Sequence, residues 1–394
     1  MSILRTHSKP KTHISIYPIA GGPAAMQSFG WQNGQPILRP LPFRTFRGEI
    51  LAASANRGAA LQRPTSSSLR SVPVASPRTM SAESFSHQPV MVDEIIELFK
   101  TVPAGWVVDA TLGGAGHTRA ILDACPQLCV IGIDQDEDAI RAASARLAIY
   151  GDRARVVRAR FDELAQVLSN QGIESVSGVL FDLGVSSHQF DTAERGFSYR
   201  AEAPLDMRMD TSAGRSASAV VNEYEVADLE RIIREHSDER FAGRIARAIV
   251  AARPVRTTTE LAAIVASAIP APARRRGGNP AKRTFQALRI EVNAELEILE
   301  PALVQAVDSL TPGGRIAVLS YHSGEDRIAK SVLRVAESGG CTCPVGLPCG
   351  CGATPTLKRV RGAAKASMQE QKANPRSTSA RLRAAEKLTK AQGL

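Results

Sequence analysis

From Val92 onward the apolar residues of this chain fall into two alternating periods. Val92, Ile95, Ile96 and Phe99 recur at helical spacing around Asp93, and Pro103 and Gly105 end that segment. Short apolar runs follow at 106–110, 128–134, 155–159 and 178–182, and these predict strands. Helical stretches through Leu122 and across 138–147 lie between them. Strands alternating with helices predict a parallel sheet covered on both faces, because each crossover must return the chain to the same end of the sheet.

Between about 187 and 295 the strand signals vanish. Phe241, Ile245, Ile249 and Ala252 step by three or four, and Thr257-x-x-Glu260 is a capping box opening a helix over 261–269. Phe285, Leu288, Val292, Leu296 and Leu299 predict one amphipathic helix that runs past the end of this region. A strand returns at 315–321 after the turn Thr311-Pro-Gly-Gly314. The expected fold is an α/β, doubly wound, Rossmann-like sheet in two parts, 85–186 and 296–336, with a helical domain inserted at 187–295. Residues 1–84 are rich in Ser, Pro, Arg and Ala without sustained periodicity and read as a disordered basic extension. An organellar transit peptide has a similar composition, but Pro18, Pro23, Pro36, Pro40 and Pro42 interrupt any long amphipathic helix there. The segment 337–394 reads as a cysteine cluster followed by a basic tail.

Composition changes this picture little, and charge changes it by its distribution. The apolar fraction of 43% suits a folded protein, and no apolar run approaches the ~20 residues that cross a bilayer, so no membrane partner is expected. The net charge of +10 invites a nucleic-acid reading. Residues 1–80, however, carry ten Lys/Arg against Glu49 alone, and the stretch after Cys351 carries ten against Glu370 and Glu386, which leaves the middle of the chain net acidic. A local cationic patch is still needed, and Arg274-Arg275-Arg276 with Lys282 and Arg283 supplies one in a loop-like setting. Two CxC pairs, Cys341/Cys343 and Cys349/Cys351, could offer four thiolates to zinc. Their spacing is not that of a zinc ribbon, so reduced, unligated cysteines are expected and no metal is assigned.

The chemistry concentrates where the first strand ends. Val107-Val-Asp109-Ala-Thr-Leu-Gly113-Gly114-Ala115-Gly116-His117 is a strand, a glycine turn and a helix start, where backbone N–H groups approach a ligand closely. Eighteen residues after Gly116, Asp134 ends the second strand, the place from which an acid accepts hydrogen bonds from ribose hydroxyls. A dinucleotide would need a small residue where Arg119 stands, whereas S-adenosylmethionine has no pyrophosphate and needs none, which disfavours an NAD-dependent oxidoreductase. Asp182 ends the fourth strand in Phe181-Asp182-Leu-Gly184. Asp109, Asp134, Asp182 and the region after Tyr321 are therefore expected to converge on one crevice.

The chain resembles the ribosomal RNA small subunit methyltransferase H family across about 85–336 and again at Asn374-Pro-Arg-Ser-Thr-Ser-Ala-Arg-Leu-Arg383. The resemblance rests on His87-Gln-Pro-Val-Met, the glycine turn, Phe181-Asp-Leu-Gly-Val-Ser-Ser187, Asp191-Thr-Ala-Glu-Arg-Gly-Phe197, Pro204-Leu-Asp-Met-Arg-Met-Asp210, Glu239-Arg-Phe241, Arg283-Thr-Phe-Gln-Ala-Leu-Arg289 and Tyr321-His-Ser-Gly-Glu-Asp-Arg327. It implies a class I methyltransferase sheet and transfer of a methyl group from S-adenosylmethionine to the exocyclic N4 of a cytidine in the decoding region of 16S rRNA. The implied partner is 16S rRNA or the small ribosomal subunit, in the cytoplasm. Carried over by position, it implies that Ala115, Gly116 and His117 line the donor, that Asp134 holds its ribose, and that Phe161 borders the adenine. It also implies that Asp182 and Gln189 reach the donor near its reactive end.

The turn departs from the family's frequent Gly-Arg-Gly-Gly-His by carrying Ala115, which suits donor binding only if its φ is negative. Asp182 is the expected catalytic residue, accepting the amine N–H through its carboxylate or the adjacent backbone carbonyl as nitrogen becomes cationic, with a purely donor-binding role as the alternative. A stacking aromatic is expected from Phe190, Phe197 or Tyr199. His322 and Glu325 are expected either to orient RNA or to cap a helix. The reading from another class is a non-catalytic RNA-binding assembly factor with a vestigial donor site.

Overall fold

The computed structural model describes residues 30–32, 35–37, 89–275, 278–344, 350–362 and 364–389. The chain divides into two units, 1–78 and 79–394. In the first, β1 (Gly30–Gln32) and β2 (Gln35–Ile37) pair antiparallel with Trp31 opposite Pro36, where the sequence predicts disorder. The rest of the expected extension lies outside the described residues.

The second unit holds seven strands: β3 (Gly105–Asp109), β4 (Leu128–Asp134), β5 (Ala154–Arg158), β6 (Val176–Asp182), β7 (Leu310–Ser320), β8 (Leu357–Arg359) and β9 (Arg381–Lys387). Their order is β5-β4-β3-β6-β7-β9-β8, with β3 through β7 parallel and β9 antiparallel to both neighbours. The helices α1 (Val92–Phe99), α2 (Gly116–Ala124) and α3 (Glu137–Leu147) cover one face with Ile95, Phe99, Ile121, Leu122, Ala143 and Leu147. On the other, α4 (Leu164–Asn170) packs Leu164, Val167 and Leu168 against the strands. Since β4 and β5 extend one way from β3 while β6 and β7 extend the other, the strand order reverses between β3 and β6. Ligands bind beyond the carboxyl ends of parallel strands at such a switch point.

Seven helices fill the insertion: α5 (Ser187–Asp191), α6 (Ala217–Glu223), α7 (Val226–Ser237), α8 (Ala242–Ala251), α9 (Thr258–Ala268), α10 (Ala271–Arg274) and α11 (Lys282–Asn293). They bury their own core around Met207, Ile232, Ile245, Leu261, Phe285 and Leu288. The Thr257/Glu260 capping box forms as the sequence predicts.

Two expectations are corrected. The single helix through Leu299 is two, α11 and α12 (Glu295–Ser309), broken at Ala294 with φ 52° and ψ 30°. The break is held from outside the helix: Met209 N–H donates to Asn293 Oδ1 at 2.8 Å, Asn293 Nδ2 donates to the Met207 carbonyl at 2.8 Å, and Arg289 forks onto Glu295 at 2.7 and 2.8 Å. Periodicity carries through such a break because both helices face apolar surroundings.

The basic tail is the second correction, since 357–387 complete the sheet. Arg315 of β7 stands opposite Glu386 of β9 and binds it at 2.9 Å, Lys358 meets Glu386 at 2.8 Å, and Arg383 forks onto Asp326 at 2.8 and 2.9 Å. Asp326 belongs to α13 (Ser323–Ser338), and α14 (Met368–Ala373) links β8 to β9. No described helix is long and apolar enough to cross a membrane.

Ala294→Gly is expected to stabilise the protein by about 0.5–1 kcal/mol in denaturant unfolding, because glycine adopts positive φ without a Cβ penalty. In a continuous helix the same change would destabilise by about 1 kcal/mol, so its sign decides between the two geometries.

Candidate functional site

Three acids end adjacent strands, and each is supplied with donors. Asp109 of β3 is buried; Thr118 Oγ1 donates to its Oδ2 at 2.6 Å and the Thr111 N–H to its Oδ1 at 3.3 Å. Burial pushes its carboxyl above the ordinary range, with the Thr118 bond opposing. Asp134 of β4 accepts the Gly113 N–H at 2.8 Å and the Asp136 N–H at 2.9 Å, so it ties the glycine turn to the neighbouring strand. Burial outweighs those bonds and raises its pKa to about 6.

Asp182 of β6 is the third. Tyr321 Oη donates to its Oδ1 at 2.6 Å, and its Oδ2 lies 3.4 Å from His117 Nδ1. His117 Nε2 is 2.8 Å from the Val90 carbonyl, which only accepts, so that nitrogen carries the hydrogen and Nδ1 faces the carboxylate. Burial and the Asp182 carboxylate push the Tyr321 phenol far above its ordinary range, which keeps it a donor. The Asp182 N–H donates to Thr111 Oγ1 at 2.7 Å, binding the ends of β3 and β6 together.

The turn between β3 and α2 is strained. Gly113 has φ 47° and Ala115 φ 61°, the positive sign expected to disfavour donor binding. An L-residue in this region costs about 1–2 kcal/mol. Ala115 sits at the N-cap of α2, and its side chain offers the first helical N–H groups no acceptor, leaving them for a ligand. A Cβ at Gly116 would come 2.4 Å from Pro89 Cγ, so glycine is required for the preceding segment to close over the turn.

The other residues singled out are distributed unevenly around this crevice. Gln189 is buried and its amide is engaged: Oε1 accepts the Ser186 N–H at 3.0 Å and Nε2 donates to Asp136 at 2.8 Å. Phe161 follows β5, half-buried, with its ring edge-on to Phe181 at 6.0 Å. Phe197 is buried in the insertion core and Tyr199 stacks edge-on with Phe285, while Phe190 lies half-buried under the Arg376 guanidinium at 5.5 Å. Phe190 and Tyr199 are both half-buried and pack against the core of the insertion. His322 and Glu325 cap α13, with Glu325 Oε2 accepting the Tyr321 and His322 N–H groups at 2.7 and 3.2 Å.

Sequence reasoning missed Asp136, Arg195 and Tyr321 as parts of the site. Asp136 caps α3 and holds both Gln189 and Arg195, the latter at 2.8 Å, and Arg195 also donates to the Arg208 and Met209 carbonyls at 3.0 Å. The insertion's leading segment is thus bound to the end of β4. The signal was present in Asp191-Thr-Ala-Glu-Arg195, but a buried arginine and an exposed one look alike in sequence.

Arg274 and Arg275 are exposed at the end of α10, as are Lys282 and Arg283 at the start of α11, whereas Arg276 lies outside the described residues. A second cationic surface has no signature in the sequence. Arg234, Arg240, Arg244 and Arg247 line a groove of about 210 Å³ across α7 and α8 with Phe241, over which Arg240 sits at 4.7 Å. Ser323 Oγ donates to Asp238 at 2.8 Å, which places the turn between α7 and α8 against the carboxyl edge of the sheet.

A family model described as the MraW methylase family matches residues 84–388. Among curated proteins, the ribosomal RNA small subunit methyltransferase H of Symbiobacterium thermophilum is 51% identical over 312 residues, which cover 77% of this chain and 98% of that protein. Those of Thermobifida fusca and Acidothermus cellulolyticus are 50% and 51% identical over 323 and 322 residues, each covering 80% of this chain and 97% of theirs.

Tyr321→Phe keeps the ring and removes the donor to Asp182. It is expected to cost about 1.5–3 kcal/mol in urea unfolding at pH 7, the usual worth of a hydrogen bond to a charged group. An unchanged midpoint would mean that water replaces the phenol at no loss.

Proposed function

The chain belongs to the MraW methylase family, and from that premise we propose that it methylates the exocyclic N4 of a cytidine in the decoding region of small-subunit rRNA, in the cytoplasm where ribosomes assemble. The observation that carries this reading is the Tyr321–Asp182–His117 arrangement at the switch point, a carboxylate oriented from both sides at the mouth of a nucleoside-type site. S-adenosylmethionine supplies an electrophilic methyl group on a sulfonium.

Apart from Ala115, whose positive φ counts against it as a donor contact, the residues present fit that donor. Asp134 has acceptor capacity beyond the two N–H groups it already binds, which suits ribose hydroxyls. The uncapped amides of α2 suit a carboxylate, and Phe161 offers an apolar wall for a base. Gln189 acts in this reading through Asp136, by fixing the loop after β4, with no direct contact to the donor.

The N4 lone pair of cytosine is delocalised into the ring, so attack requires that it be localised. Asp182 has two oxygens with four lone-pair sites, of which the Tyr321 phenol takes one, and the remainder can accept the amine N–H. As nitrogen bonds to carbon and the carbon–sulfur bond breaks to a neutral thioether, the amine becomes cationic and its proton passes toward Asp182. His117 Nδ1, facing the same carboxylate, can share that proton because Nε2–H is fixed on Val90. A stacking aromatic falls to Phe190 or Tyr199, the two that are only half-buried. A paired cytidine cannot present N4 for in-line attack, so the target is single-stranded or flipped. Docking of its phosphates falls to the Arg234/Arg240/Arg244/Arg247 groove and to Arg274, Arg275, Lys282 and Arg283.

Affinity for S-adenosylmethionine is expected to be full above about pH 6 and to fall as pH drops below it, by up to about tenfold per unit, because a protonated Asp134 has lost acceptor capacity. Calorimetric titrations from pH 5 to 8 check this, and a flat profile removes Asp134 from the donor site. Asp182→Asn is expected to lower methyl transfer to undermodified small subunits by about 10²-fold or more while donor binding persists. The position of the product is read by mass mapping of rRNA nucleosides. Charge reversal at Arg244 and Arg247, or at Arg274 and Arg275, is expected to weaken RNA binding and flatten its salt dependence with donor affinity intact. Donor binding with no transfer under any condition would instead mark a non-catalytic assembly factor.

A further inference from the structure

The connection from α13 to β8 is built differently from the rest of the fold. It leaves α13 through Gly339 and Gly340, at φ 62° and 74°, and none of its described residues between Gly340 and Thr356 is buried. Its backbone is held mainly at its ends, by Gly340 N–H to the Val335 carbonyl at 3.0 Å, Cys341 N–H to the Ser338 carbonyl at 3.2 Å and Thr356 N–H to the Ala336 carbonyl at 2.9 Å. The loop brings Cys341, Cys343 and Cys351 to one place. Their Sγ atoms all lie within 4.8 Å of one another.

Three thiols at that spacing match a metal's requirements. Ligands at about 2.3 Å around a tetrahedral zinc ion stand about 3.8 Å apart, so a modest contraction closes the set. The donors are all soft sulfur, which selects zinc over magnesium or calcium. Cys341-x-Cys343 supplies two of them from one short stretch, and Gly352, at φ 69° with open space where a Cβ would be, lets the chain turn immediately after Cys351. Cys125, by contrast, is buried in the core against α2, where burial pushes its thiol up and it acts as packing.

We propose that Cys341, Cys343 and Cys351 form a structural zinc site that pins the crossover into β8. The fourth position falls to a ligand beyond these three; Cys349, the remaining thiol of the run, lies outside the described residues. The location argues for a structural role. α13 starts at the carboxyl edge beside His322 and runs 16 residues away from it, which is about 24 Å at the helical rise. The thiols are therefore at the far end of that helix from Asp182. What they hold is the entry to β8, a three-residue edge strand whose only ladder partner is β9, with Leu357 as its single buried side chain. A metal clip there closes the connection.

The test uses the full chain purified anaerobically without chelator, with zinc measured by elemental analysis and thiols titrated in parallel. About one zinc per chain is expected, lost in Cys341→Ser and in Cys343→Ser and retained in Cys129→Ser, a cysteine outside the cluster. Because a serine variant can fail to fold, the unaltered protein is also stripped and titrated with Co²⁺ alone. A near-ultraviolet sulfur-to-cobalt charge-transfer band with intense visible bands is expected, and zinc should abolish it on competition. The proposal is overturned if fully reduced protein binds neither ion, if the thiols titrate as a disulfide in protein prepared without oxidant, or if both serine variants keep their zinc. None of these readouts depends on methyl transfer.

Discussion

Carboxylates at the ends of neighbouring buried strands repel one another and lose water, so the crevice exists only because each is given donors. Asp109 takes a hydroxyl and an amide, Asp134 two amides, and Asp182 a phenol, with the His117 ring beside it. Much of the surrounding architecture delivers those donors. The glycine turn exists to bring the Gly113 N–H to Asp134, α2 carries Thr118 and His117 back to the acids on either side, and β7 ends where Tyr321 reaches Asp182. Even the closing of α13 serves this end, since Glu325 holds the Tyr321 and His322 amides in place.

The parts legible in sequence are those fixed by local rules. Strand, glycine turn, helix and terminal acid are contiguous, and their meaning follows from backbone chemistry over a few residues. Asp134 and Asp182 are therefore readable from their own stretches of chain. Tyr321 is not, because its role rests on a bond to a residue 139 positions earlier, and Asp136 and Arg195 escape for the same reason. The break at Ala294 is invisible because Asn293 acts through the distant Met207 and Met209 backbone, while the apolar period continues undisturbed.

β9 shows how charge can hide a strand. Arg381-Leu-Arg-Ala-Ala-Glu-Lys387 has weak strand propensity and a strong positive balance, and it reads as a tail. In the sheet its charges meet Asp326, Arg315 and Lys358, so part of the chain's positive excess is structural and unavailable to a polyanion. Other cationic side chains are on the insertion, in the α7–α8 groove, where Glu230 pairs with Arg234, and around the start of α11. A groove of this kind is assembled from two helices and has no signature along either one.

The amide of Met91 donates to Glu370 at 2.8 Å across 279 residues of intervening chain, beside the Val90 carbonyl that orients His117. Together with the pairing of β7 and β9, this makes the catalytic crevice a late product of synthesis. As the chain emerges, β3 to β6 can pair early, but the edge of β6 stays open through the making of the whole insertion, and β7 then waits for 381–387. Closing contacts so distant in sequence is slow relative to local helix formation. A nascent chain therefore exposes an apolar sheet edge while the insertion is made, and the insertion can complete its own core before that edge is closed.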